Sequence, residues 1–62
     1  MTIEEFNNTR FGAGMKCIRN SELYAGRVYL IGSVDFYECL LEIYEGGSED
    51  SDWVRCENIT LI

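Results

Sequence analysis

The sequence predicts an all-β fold of about five strands with a short N-terminal helical turn, and three stretches carry that prediction. Between Arg27 and Phe36, the residues Val28, Leu30, Gly32, Val34 and Phe36 share one parity while Tyr29, Ser33 and Asp35 take the other. That is the period-two pattern of a strand. The run GGSEDSD from Gly46 to Asp52 has no apolar residue and marks a loop between two ordered elements. The chain then closes on DWVRCENITLI, whose Trp and alternating aliphatics call for burial in a last strand.

The elements follow in order along the chain. Thr2 and Glu5 stand at capping-box spacing, and the turn-prone Asn7-Asn8-Thr9 stops the helix after about one turn. Phe6 and Phe11 flank that turn, so residues 1–11 are expected to pack down as a covering segment on one small domain spanning residues 1–62. Gly12 and Gly14 punctuate the start of a first strand, Met15 to Arg19. The strand from Arg27 to Phe36 is long for so small a domain and must bend. Gly32, at its middle, is where a bend or a close backbone approach is easiest.

The segment DFYECLLEIYEGG supports two readings. Phe36, Cys39, Leu40, Ile43 and Tyr44 fall at helical spacing, with Asp35 and Glu38 placed like a capping pair. Cys39, Leu41 and Ile43 also alternate with Leu40, Glu42 and Tyr44, and a reversal near Tyr37 and Glu38 turns this run into the second arm of a hairpin. The hairpin is preferred, because Phe36 continues the preceding strand's core parity and Cys39, Leu41 and Ile43 resume it. Trp53 to Cys56 reads as a strand, Glu57 to Ile59 as a short turn, and Thr60 to Ile62 as a final strand. The expected core is Met15, Cys17, Val28, Leu30, Val34, Phe36, Leu41, Ile43, Val54, Cys56, Ile59 and Leu61.

A long bent strand, a hairpin, a strand, a short turn and a last aliphatic strand form an order that resembles the small SH3-like barrels, and the ending WVRCENITLI is similar to theirs. The resemblance implies a small SH3-like barrel. The chain lacks the ALYDY segment of peptide-binding SH3 domains and any Pro before the last strand, which puts a proline-peptide site in doubt. It is also similar to small uncharacterised acidic proteins of gut bacteria and their mobile elements, from which no activity carries over.

Composition excludes several function classes. A hydrophobic content of 47% argues for a folded chain. A net charge of −6 repels phosphate backbones, so no direct nucleic-acid partner is expected. No apolar run approaches the ~20 residues of a membrane span, and no basic region opens the chain as in a signal peptide. Three cysteines cannot all pair internally, which points to a reducing, cytoplasmic location. Cys17, Cys39 and Cys56 lie at spacings unlike a zinc ribbon, and with no His they are expected to pack as small hydrophobes, without metal or cofactor. The absence of His also removes the usual general base, and a domain of this size offers little cleft, so no enzymatic activity is expected.

The aromatics carry the functional expectation. Tyr29, Tyr44 and Trp53 fall on the parity opposite the expected core, and Tyr37 lies at the hairpin tip. Surface Trp and Tyr are typical of binding hot spots. With Glu49, Asp50 and Asp52 on the neighbouring loop, they form a candidate partner-binding face for a protein, the acids being placed to steer a basic partner. Two states of this face remain open: exposed, or covered by Phe6, Phe11 and the N-terminal segment as a second core. The expected object is a non-enzymatic protein-interaction module, an accessory protein of a mobile element, monomeric or weakly homodimeric. The alternative is an acidic decoy that occupies the basic surface of a nucleic-acid-binding protein.

Overall fold

A computed structural model describes residues Met1–Ile62, and its five strands form one antiparallel sheet in the order β4-β3-β2-β1-β5. The strands are β1 (Lys16–Arg19), β2 (Tyr29–Asp35), β3 (Leu40–Tyr44), β4 (Asp52–Arg55) and β5 (Ile59–Leu61). A 3-10 turn, Cys56–Asn58, links the last two, and β5 returns to pair with β1 through Cys17 opposite Leu61 and Arg19 opposite Ile59. The fold is therefore all-β, and the hairpin reading of residues 36 to 45 holds over the helical one.

The capping-like pair at Asp35 and Glu38 serves that hairpin. One carboxylate oxygen of Asp35 accepts from the amides of Tyr37 (3.0 Å) and Glu38 (3.1 Å), the local bond by which Asp favours a turn over a helix. Residues 36–39 close the reversal, and β3 leaves it paired through Leu40 opposite Asp35.

Along β2 the expected parity is half wrong. Ile31 pairs with Ile43 but Ser33 pairs with Glu42, so β2 spends one extra residue at Gly32. Such a bulge moves every later side chain to the opposite face. Before it the buried residues are Tyr29 (5% exposed) and Ile31 (1%); after it Val34 faces the core. Val28, Leu30 and Phe36 leave the expected core: Val28 is 49% exposed, Leu30 stands outward beside Tyr44, and Phe36 is 53% exposed. Tyr29 correspondingly turns inward. A Cβ at Gly32 would stand 3.3 Å from Oε1 of Glu42 and 3.4 Å from Cε1 of Tyr44, so the Tyr44 ring lies against bare backbone there.

The buried residues form one cluster of nine: Phe6, Cys17, Tyr29, Ile31, Leu41, Ile43, Val54, Cys56 and Ile59. Phe6 comes from α1 (Ile3–Asn8), whose capping box forms as expected, with the Glu5 amide donating to the Thr2 hydroxyl oxygen (3.1 Å) and the Thr2 amide donating to the Glu5 carboxylate (3.1 Å). The ring of Phe6 meets those of Phe11 at 5.4 Å and Phe36 at 5.1 Å between centroids. Phe36 is thus half-exposed yet held in an aromatic trio at the edge of the core. The Met1 amino group donates to the Cys56 carbonyl (3.0 Å) and to the Ile59 carbonyl, anchoring α1 over the Cys56–Asn58 turn. The N-terminal segment therefore seals the inner side of the sheet. No helix is long and apolar enough to cross a membrane.

Candidate functional site

The outer face of the sheet is built by alternation. In β3, Leu41 and Ile43 point into the core, so Leu40, Glu42 and Tyr44 point out. In β4, Val54 is buried, and Trp53 and Arg55 point out. Register sets these side by side, with Glu42 opposite Trp53, Tyr44 opposite Leu30, and Leu30 opposite Lys16. The Ile62 amide bonds the Lys16 carbonyl, so one row crosses the sheet as Tyr44, Leu30, Lys16 and Ile62. Trp53 (51% exposed), Val28, Ile18 and Ile62 bring large apolar surface to this face, and α1 does not reach it. Antiparallel sheets commonly present a polar face to water, whereas here that face carries the half-exposed Trp53 and Val28 together with Ile18 and Ile62.

The outer face is also close to electrically neutral. Its outward ionisable residues are Lys16 and Arg55 against Asp35 and Glu42, while the chain as a whole carries −6. Arg55 is tied to Glu57 at 3.1 Å, which raises the guanidinium and lowers the carboxyl in pKa through their shared hydrogen bonds. Glu42 accepts a 2.7 Å bond from the Ser51 hydroxyl, fastening the acidic loop to β3.

The seven residues expected to form a partner-binding face separate into five groups. Tyr44 and Trp53 share the outer face, as expected. Tyr29 does not: it lies upstream of the Gly32 bulge and is buried. Tyr37 is 94% exposed but sits on the turn between β2 and β3, at the opposite end of β3 from the acidic loop. Glu49 and Asp50 project from the exposed loop, whereas Asp52 follows the inner parity of Val54 and pairs with Arg19 at 3.2 Å. Ile18, Val28, Leu30 and Ile62 are outer-face residues that the sequence expectation does not place there. An unbroken parity assigned Val28 to the core, and Ile62 needed the β1–β5 pairing to find its place.

A second group gathers on the inner side, where β1 leads into the 3-10 turn Glu22–Tyr24. The Arg19 guanidinium lies 3.7 Å from the centroid of the Tyr24 ring and 6.0 Å from that of Tyr29, with its side chain 17% exposed. The two rings meet edge to face at 6.4 Å. Beside them opens a cleft of about 240 Å³ between this turn and loop 45–51.

The three thiols are free; Cys17 and Cys56 are buried and Cys39 is partly exposed. Burial pushes the Cys17 thiol up in pKa, and burial followed by the Glu57 carboxylate does the same for Cys56. No three His, Cys, Asp or Glu side chains converge on a common point. No protein-family model, curated protein or solved structure matches the chain.

Proposed function

We propose that the protein is a non-enzymatic interaction module that docks a protein partner on the outer face of its sheet, with Trp53 as the anchor. The observation that supports this reading is the exposure of Trp53 on the same face of the sheet as Tyr44 and Leu30, with Val28, Ile18 and Ile62 farther across it, a face that the N-terminal segment leaves open. The partner is a protein with an apolar patch rimmed by basic residues. The apolar centre meets the sheet, and the acids at Glu49 and Asp50 steer the approach from its border.

The test compares native protein and Trp53→Ala as bait for partners from the native cell, with folding of both checked by circular dichroism. A hot-spot Trp predicts that affinity for the captured protein falls by ~2 kcal/mol or more. Neutralising Glu49 and Asp50 should slow association while leaving most of the dissociation rate unchanged. An acidic decoy behaves in the opposite way: its complex dissolves steeply with salt and ignores Trp53→Ala. Capture of the same protein, equally tightly, by a folded Trp53→Ala bait overturns the assignment.

A further inference from the structure

The cleft between the Glu22–Tyr24 turn and loop 45–51 is lined by Tyr24, Tyr29 and Tyr44 and, spaced around its walls, by Arg27, Glu45, Asp50 and Asp52. At about 240 Å³ it falls below the ~300 Å³ at which clefts begin to enclose a drug-sized ligand, and it suits one side chain. The acids alone would be a solvated loop. What sets this cleft apart is the chemistry that the chain already places against the same walls. Arg19 stacks its guanidinium on Tyr24 and bonds Asp52, and Arg27 reaches Glu45 at 3.4 Å across the cleft lining. Both cations are guanidinia, whose flat face suits a phenol ring and whose fork suits a carboxylate. Asp50 lines the cleft and makes no ion pair.

We infer that this cleft receives the guanidinium of an arginine side chain presented by a protein partner. The incoming group pairs with Asp50 and lies along the exposed parts of Tyr24 and Tyr44, repeating the arrangement that Arg19 makes with Asp52 and Tyr24. The inference rests on the reading of the chain as an interaction module and gives its partner a chemistry. Tyr44 belongs to both surfaces, so a partner seated on the outer face has this cleft at its border.

The test is a titration of the 15N-labelled full chain with N-acetyl-arginine amide at constant ionic strength, followed by amide shifts. Its lysine and citrulline counterparts serve as controls. The arginine probe is expected to shift Tyr24, Tyr44 and residues 48–51 saturably. The neutral citrulline probe should leave them in place, and the lysine probe should bind more weakly. Asp50→Asn should weaken the arginine probe by about fivefold, the scale of one exposed charge pair. Equal shifts with citrulline or lysine, shifts spread without saturation over all the acidic residues, or an unaltered Asp50→Asn titration would each overturn the inference. The probe carries no apolar patch and reads the cleft alone, whereas partner capture by Trp53→Ala reads the outer face. Failure of one is therefore separable from failure of the other.

Discussion

The backbone amide of Cys56 donates to the carbonyl of Cys39 at 2.9 Å, tying the β2–β3 reversal to the 3-10 turn that follows β4. Cys39 holds this carbonyl in place from a left-handed backbone, with φ of 58°, and no other non-glycine residue in the chain has positive φ. A residue with a Cβ costs ~1–2 kcal/mol there, and glycine avoids most of that cost. Cys39→Gly should therefore be more stable than Cys39→Ala by ~1 kcal/mol in urea titrations. Equal midpoints for the two variants would show that the turn relaxes instead of holding the left-handed position.

Leu41 and Trp53 separate core from surface. Leu41 is fully buried between Val34 and Val54 in register, and Leu41→Ala should cost ~2–5 kcal/mol. Trp53 stands half-exposed on the other face, so Trp53→Ala should cost under ~1 kcal/mol of stability. Denaturant midpoints measure both. A Trp53 loss as large as that of Leu41 would place its ring in a core and remove it as a docking anchor.

Acid should weaken the fold through two carboxylates. The amide and then the hydroxyl of Thr2 hold Glu5 below its ordinary value of 4.5, and the Arg55 guanidinium does the same for Glu57. A carboxyl depressed in the folded state stabilises fully above its unfolded pKa, and that contribution fades as pH falls through the lower folded value. Stability should therefore hold from neutral pH to ~5 and decline below it. In the double variant Glu5→Gln, Glu57→Gln, which removes both titrating carboxyls, the decline should be shallower than in the native protein, by thermal melts across that range. An unchanged slope would assign the acid sensitivity to other carboxyls.

Thiol reactivity should rank by position. Cys39 is partly exposed, whereas Cys17 and Cys56 are fully buried with their thiols pushed up, which removes both access and thiolate. Native protein treated with iodoacetamide at neutral pH should take one label quickly, mapped to Cys39 by mass spectrometry, and the other two only on unfolding. Early labelling of Cys17 would mean that β1 separates readily from β5.

The strands and reversals are legible in the sequence because each rests on local chemistry: Thr2 and Glu5 for the cap, Asp35 for the hairpin turn, the polar run 46–52 for the loop. The outward placement of Tyr44 and Trp53 is legible for the same reason, since β3 and β4 alternate without interruption. Tyr29 and Val28 exchange faces because Gly32 hosts an extra residue. A glycine signals that a bend is possible, but whether it inserts a residue depends on the partner strand, here on Glu42 and Ile43. The stacking of Arg19 on Tyr24 is not legible at all. It joins a strand residue to a 3-10 turn and exists only once β1, that turn and Asp52 are assembled.

The pairing of β5 with β1 has a kinetic consequence. The neighbouring pairs β2–β3 and β3–β4 close through short turns, but Cys17 must wait for Leu61, and the entropy of closing that loop has to be met by a strand of only three residues. The fifth strand, an edge strand held to β1 through three register pairs, is thus free to detach while the rest of the sheet stays folded. Each such opening bares the edge of β1 and loosens the anchorage of Met1 at Ile59. Amide exchange with solvent therefore starts from the seam between the two ends of the chain, and the meander from β2 to β4 is the last part to let its protons go.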